Sequence, residues 1–317
     1  MAKTKKGRAV SGIVVINKPL GLSSNQVLQR VKRLFNAQKA GHTGALDPMA
    51  SGVLPVCLGE ATKFSQILLD ADKGYETTAK LGEVRSTGDV EGEVLRTAAV
   101  PDLQNIDLES VLEPFRGDVE QVPPMFSALK MDGKPLYELA RQGMSEADMK
   151  AVAEKKRRVI TIHSLTLDAQ RDDELDLSVR CSKGTYIRTL VEDIGDALGC
   201  GAYVSRLHRT HSGPYHSGQM LTLEQLEALA EQGADVLDAV LLAPESALPG
   251  WPEVQLSLAE ARKMLHGQTV NTGLEPSPSV QLWAVESGIR QLIGIGRIED
   301  GRVIAQRLMQ VTLPDAV

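Results

Sequence analysis

The residues Gly41-His42-Thr43-Gly44-Ala45-Leu46-Asp47-Pro48 place an imidazole, a hydroxyl and a carboxylate in one short run punctuated by glycine. Glycines on either side of His42 and Thr43 permit tight backbone turns or the close approach of a ligand. Pro48 disfavours helical geometry at Asp47, so the carboxylate rides on a stiff, non-helical piece of chain. That is a suitable mount for a carboxylate that must act on a substrate. A plainer reading fits the same residues, with Asp47 as a helix N-cap and Pro48 at the first helical position. His42 would then be a loop histidine bonded to backbone. The run by itself leaves both readings open.

Other chemistries find less support. The three cysteines, Cys57, Cys181 and Cys200, form no metal-ligand spacing and have no His nearby in sequence. They read as small buried apolar side chains. Dinucleotide-binding and phosphate-cradling glycine patterns are absent, so neither a nucleotide cofactor nor a metal is expected. The 317 residues, 42% apolar and 24% charged, make an ordinary globular balance with room for two domains. Lys3, Lys5, Lys6 and Arg8 are not followed by an apolar stretch of signal-peptide type, and nothing resembles a membrane span; a cytoplasmic protein is expected. The net charge of −6 weighs mildly against nucleic acid. Sign distribution matters more than the total, however. Lys155, Lys156, Arg157 and Arg158 are clustered, as are Arg206, His208 and Arg209, while Asp172, Asp173, Glu174 and Asp176 gather elsewhere. A local basic track is permitted, with plain solvated faces as the alternative.

Several elements must position these residues. Ile13 to Ile16 reads as a short buried strand, ended by Asn17-Lys18-Pro19 and Gly21. Ser23, Ser24 and Asn25 offer caps for a helix with Val27, Leu28, Val31, Leu34 and Phe35 on its apolar face. A polar, glycine-rich loop is expected from Ala40 to about Gly52, and a second helix near Glu60 with Ala61, Phe64 and Leu68 inward. Tyr75 to Leu81 and Glu93 to Leu95 read as strands flanking a Gly/Asp-rich turn region. Leu175, Leu177, Val179 and Cys181 alternate with polar residues as in a half-buried strand. A helix follows with Leu190, Ile194, Ala197 and Leu198 inward, stopped at Gly199. Residues 123–156 are Met-, Gly- and Lys-rich with weak periodicity, which suggests a mobile insertion. A linker is expected near Pro244 to Pro252, then a β-rich segment with a hairpin at Asp300-Gly301. The irregular order of helices and strands indicates an α+β fold.

Taken together in order, these motifs resemble the TruB family of tRNA pseudouridine synthases. The resemblance rests on Asn17-Lys18-Pro19 with Gly21, Ser23 and Ser24, then Gly41 to Pro48, then Gly59-Glu60-Ala61-Thr62-Lys63. Asp72-Lys73-Gly74-Tyr75 and Cys181-Ser182-Lys183-Gly184-Thr185-Tyr186-Ile187-Arg188-Thr189-Leu190 complete it. It is close over about residues 11–215 and looser beyond.

The resemblance implies that Asp47 is the catalytic carboxylate, that Arg188 pairs with it, and that Tyr75 and Tyr186 line a uracil pocket. It adds Leu207 as a contact to a flipped nucleotide, His42 as a contact to RNA, and Lys18 and Pro19 as supporting residues. Tyr75 would stack on the extruded base; a second role, removing the C5 proton, would need local help because a free phenol titrates near 10. The implied fold is a catalytic domain over 1–245 with a mixed, largely antiparallel sheet, and residues 123–156 as an RNA-clamping insertion. A small β-rich PUA-like RNA-binding domain would occupy 250–317. The implied reaction is isomerisation of uridine 55 in the tRNA T loop, without a cofactor. The expected partner is the T-loop arm of tRNA, met by a monomer without membrane or protein partners.

Overall fold

A computed structural model describes residues 7–125, 130–131, 134–135, 143–286 and 288–314. The chain begins with β1 (Gly12–Lys18), α1 (Ser24–Leu34), β2 (Ala40–His42), β3 (Ala50–Leu58), α2 (Ser65–Asp70) and β4 (Lys73–Leu81). There follow β5 (Glu83–Arg85), β6 (Val94–Thr97), α3 (Leu108–Leu112), β7 (Gly117–Gln121), β8 (Lys130–Met131), β9 (Lys134–Pro135) and α4 (Glu146–Glu154). Next come β10 (Arg158–Arg171), β11 (Glu174–Cys181), α5 (Ile187–Ala197), β12 (Ala202–Ser212), β13 (Tyr215–His216), α6 (Leu223–Gln232) and α7 (Ala234–Asp238). The last elements are β14 (Glu253–Leu256), α8 (Leu258–Leu265), β15 (Val270–Asn271), β16 (Ser277–Glu286), β17 (Ile289–Glu299) and β18 (Arg302–Leu308).

Among the described residues one large sheet runs β1-β3-β12-β4-β11-β10-β7, with β2 added to β3 and β13 to β12. Every pairing in it is antiparallel except β3 with β12. This is the α+β class with a mixed, largely antiparallel sheet. Strand β1 shows why it forms. Ile13 and Val15 enter one core and Val14 and Ile16 the other, so alternate side chains are buried on opposite faces. Helix α1 seals the second face with Val27, Leu28, Val31 and Phe35, and its start is fixed by a Ser23–Gln26 capping box. Around β4, β11 and β12 the core is Leu175, Leu177, Val179 and Cys181 packed under Leu190, Val191 and Ile194 of α5.

A second sheet, β14-β16-β17-β18-β15, forms the C-terminal unit. It docks on the first through Trp283, Leu292, Ile295 and Met309, which share a core with Ile13, Val15, Val53 and Phe64. The hairpin at Asp300-Gly301 is present, both residues having positive φ of 49° and 68°, as a two-residue turn between twisted strands requires.

Four expectations need correction. Ala40 to Gly52 is not all loop, because it holds β2, which pairs with Val56, Cys57 and Leu58 of β3, and the first residues of β3 itself. The chain near Pro244 to Pro252 is not a free linker: Ala247 and Leu248 are buried, and Gln281 Nε2 donates to the Leu248 carbonyl at 3.2 Å. Ala197 is exposed, and α5 turns Ile187, Val191 and Gly195 inward instead. Within 123–156, weak periodicity hides helix α4, capped by Ser145 and burying Met149 and Ala153. Residues 126–129, 132–133 and 136–142 of that insertion lie outside the described residues.

The parallel pairing of β3 with β12 depends on a glycine. Gly52 faces Arg209 in register, has φ +104°, and a Cβ there would lie 2.2 Å from the Arg209 carbonyl oxygen. Gly52→Ala should therefore cost at least ~3 kcal/mol, combining backbone strain with a clash that rigid strands cannot relieve. Gly21 has φ +80° but open space around it, so Gly21→Ala should cost only ~1–2 kcal/mol. Urea unfolding of the two variants measures the difference.

Candidate active site

Asp47 opens a tight turn, closed by the Ala50 N–H donating to the Asp47 carbonyl at 3.0 Å. Pro48 at the second position supplies the φ that such a turn needs. No helix follows, since β3 begins at Ala50. The helix-cap reading of Asp47 is thereby replaced by a turn that leaves the carboxylate projecting.

The backbone around the turn is pinned one carbonyl at a time. Arg209, buried in β12, donates from Nη2 to the Gly44 carbonyl at 3.1 Å and from Nε to the Val53 carbonyl at 2.7 Å, with Nη1 3.5 Å from the Ala45 carbonyl. Ser24 Oγ donates to the Leu46 carbonyl at 3.1 Å and accepts from the Leu46 N–H at 2.7 Å. The Gly21 N–H donates to the Pro48 carbonyl at 2.8 Å, and Lys18 Nζ stands 3.5 Å from the same oxygen while donating to the Pro19 carbonyl at 2.8 Å. Residues 18–24 and Arg209, distant in sequence from residues 44–48 and from each other, thus converge on a single turn.

The carboxylate itself is held from α5. Arg188 Nε lies 3.2 Å from Asp47 Oδ2, and Arg188 Nη1 lies 3.5 Å from Asp89 Oδ2. The Arg188 side chain is only 6% exposed and that of Asp47 44%, so the cation is walled in and the acid faces outward. Asp89 is itself buried and oriented by Thr87 Oγ1 at 2.5 Å and the Glu91 N–H at 3.0 Å. A guanidinium bridging two carboxylates at low exposure is fixed in place far more firmly than a rim ion pair.

Asp47 lies in the wall of a cavity of about 280 Å³ together with Tyr75, Tyr186, Arg188 and Leu207. Five of the residues expected in the site therefore come together. His42, Lys18 and Pro19 do not line this cavity. His42 is in β2 with its Nδ1 buried and lacking a partner, and burial, with Arg209 nearby, pulls its pKa below the usual range. Lys18 is fully buried beneath the Asp47 turn, and that burial brings its ammonium down to about 8, opposed by Asp47.

Sequence reasoning missed four residues here. Lys73, Arg158 and Arg209 also line the cavity, and Asp89 braces Arg188 from behind. Arg209 and Arg158 were visible only as members of basic clusters. Lys73 stood in a recognised motif, yet nothing in sequence showed its ammonium donating to the carbonyls of Leu68, Leu69 and Ala71 at 3.0, 2.8 and 2.5 Å. Burial lowers it to about 8 as well.

The Tyr75 phenol is pushed above its ordinary value by burial, with the Arg209 guanidinium opposing the shift. Cys57 and Cys181 are buried thiols pushed up to about 11, which rules them out as thiolate nucleophiles at neutral pH. The cavity thus presents one outward carboxylate among cations and aromatic rings.

Known proteins resemble this chain over nearly its whole length. Residues 32–187 match a family model described as the N-terminal domain of TruB family pseudouridylate synthases. Residues 188–249 match a tRNA pseudouridylate synthase B C-terminal domain, and 252–309 a C-terminal domain of pseudouridine synthase II TruB. The chain is 51% identical to a protein named tRNA pseudouridine synthase B from Marinomonas sp., over 97% of each chain. Identity is also 51% to the protein of that name from Pseudomonas putida, covering 98% of this chain and 99% of the other. Among solved structures, a Cbf5-Nop10-Gar1 complex is similar at 26% identity and TM-score 0.70, over 96% of this chain and 85% of that one.

One half-buried acid near Arg188 gives the site a measurable pH signature. Glu192 stands one helical turn beyond Arg188, and burial raises its pKa to about 7, with Arg188 opposing and neighbouring carboxylates adding to the shift. A carboxyl raised in the folded state lends stability that is complete below its unfolded value and lost as pH climbs through 7. Glu192→Gln should therefore leave stability near pH 4.5 unchanged and raise it at pH 8 by on the order of 1–2 kcal/mol after allowance for solvent screening. Urea midpoints of variant and parent at the two pH values decide the matter.

Proposed function

The chain belongs to the TruB family of pseudouridylate synthases, and from that premise we propose that it isomerises uridine 55 in the T loop of tRNA, with Asp47 as the catalytic carboxylate. The observation that carries this reading is the Asp47–Arg188 pair at 3.2 Å in the wall of a cavity of one-nucleoside size. The reaction breaks the bond from N1 of uracil to C1′ of the ribose, turns the base, and joins C5 to C1′. Atoms and electrons balance without an oxidant or cofactor. It calls for a fixed anion beside the sugar, able to attack carbon or to stabilise the positive charge left when the base departs. Arg188 keeps Asp47 aimed at the cavity.

Tyr75 and Tyr186 supply flat faces for the extruded base, and Leu207 an apolar contact. Burial favours the neutral Tyr75 phenol, so stacking is its main role; the Arg209 guanidinium is the local help that any basic role would require. His42, outside the cavity, is assigned to the surrounding RNA, and Lys18 and Pro19 to support of the Asp47 turn. Extrusion costs a few kcal/mol of unstacking, which contacts to RNA shape and backbone offset. We assign catalysis to residues 1–245, RNA clamping to the insertion at 123–156, and RNA binding to residues 250–317. The protein is proposed to act as a cytoplasmic monomer on tRNA alone.

Purified Asp47→Ala should bind tRNA within a few-fold of the parent and form no pseudouridine. Product and substrate have equal mass, so detection uses mass spectrometry after carbodiimide derivatisation. Normal turnover by this variant would overturn the assignment.

A further inference from the structure

Four cations line the cavity: Lys73, Arg158, Arg188 and Arg209. The protein itself occupies three of them. Lys73 donates to three carbonyls, Arg209 donates to carbonyls of the Asp47 turn and β3, and Arg188 is shared by Asp47 and Asp89. Arg158 is different. Its Nη2 donates to the Gly184 carbonyl, while its Nε is buried without a partner. No carboxylate stands within ion-pair distance of it among the described residues, although its neighbour Arg157 pairs with both Glu120 and Glu154.

The guanidinium of Arg158 is also held in a set plane. It lies over the Tyr186 ring, 5.3 Å from the centroid, and against Gly184, whose φ of +80° and missing Cβ leave room for it: a Cβ there would meet the guanidinium carbon at 3.0 Å. Stacking on an aromatic face leaves the edge of the fork free to donate. A planar fork with unspent donors matches the paired oxygens of a phosphate. An unpaired charge half-buried in a cavity wall is costly unless a ligand anion completes it.

We propose that Arg158 is a phosphate-binding residue of this site, gripping a backbone phosphate next to the extruded uridine. The proposal rests on the reading that this site takes an RNA nucleotide. That nucleotide cannot enter without the phosphates flanking it, and Asp47 in the same cavity would repel them. Arg158 supplies the countercharge on the Tyr186 side, so the strand enters in one orientation. It is a substrate-binding residue and plays no part in bond breaking.

The test uses Asp47→Asn protein, full chain, so that binding is measured without turnover. Its affinity for a synthetic tRNA T-arm stem-loop is followed over a series of salt concentrations. Arg158→Met added to this background should weaken binding about ten-fold and lower the slope of log affinity against log salt by about 0.7–0.9, the value of one lost phosphate contact. Arg158→Lys should restore the slope. A neutral methylphosphonate placed beside the target uridine should weaken binding to the Asp47→Asn parent and change nothing further in Arg158→Met. In otherwise unaltered enzyme, Arg158→Met should raise KM and keep kcat within about three-fold. An unchanged slope, or a loss confined to kcat, would overturn the proposal. Should Arg158→Met fail to fold, the lysine variant and the methylphosphonate on the parent still decide. If the Asp47→Asn parent shows no salt-dependent binding to the stem-loop, it is the RNA reading itself that fails.

Discussion

The structure turns on the pinning of one tight turn. A carboxylate that must meet a reacting atom within a fraction of an ångström cannot ride on a mobile loop, yet it also cannot sit in a helix, where its backbone would be spent on neighbours. Here the carbonyls of Gly44, Leu46, Asp47 and Pro48 each accept from a donor, in order Arg209, Ser24, Ala50 and Gly21. Those donors come from β12, α1, the turn itself and the loop after β1. To loosen Asp47, several elements would have to move at once. This cooperativity is the reason the sheet carries its single parallel pairing at this point, because β3 and β12 side by side set Arg209 next to Gly52 and, in the next strand, Tyr75.

Charge is organised around the same turn. The chain as a whole is acidic, with a net charge of −6, but the cavity is not. Four cations face one outward carboxylate there, and the carboxylates nearest them, such as Asp89 and Glu192, stand behind Arg188 rather than in the opening. Lys18 and Lys73 are brought down to about 8 by burial, so both stay largely protonated at neutral pH at a real desolvation cost. A protein shaped by stability alone would have apolar side chains in their place. Their carbonyl partners show what is obtained in return: the ends of α2 and of the Asp47 turn are fixed by donors that no apolar residue could offer.

How much of this was legible beforehand follows from which interactions are local. Alternation in β11, the Ser23 cap and the Asp300-Gly301 turn depend on neighbours a few residues away, and each could be read directly. Tyr75, Tyr186 and Arg188 could be named as partners of Asp47 only through motif resemblance, since they approach it from β4, from the residue before α5 and from α5 itself. Arg209 and Asp89 escaped even that. Arg209 looks like a surface cation in a basic cluster, and its burial is decided by the parallel register of β3 and β12, which no periodicity encodes. Asp89 sits in a Gly/Asp-rich turn whose polar character is the signature of an ordinary loop. The reading of Asp47 as a helix cap failed for a related reason: Pro48 suits the second position of a turn as well as the first of a helix, and only the strand that begins at Ala50 chooses between them.

The same logic explains why the C-terminal unit is docked rather than tethered. Ile13 and Val15 of β1 and Phe64 beside α2 need an apolar cover on the face opposite α1, and Trp283, Leu292, Ile295 and Met309 provide it. Leu248, buried at the junction, and Gln281, bonded to its carbonyl, remove the slack a linker would give. The Gln310 N–H then donates to Glu60 at 2.7 Å, one turn before Phe64. With its core completed by the second unit, β1 can be buried on both faces, and a strand buried on both faces holds Lys18 at a fixed depth beneath Pro48. Rigidity at Asp47 therefore begins with apolar packing on the far side of the sheet, where no residue touches the cavity.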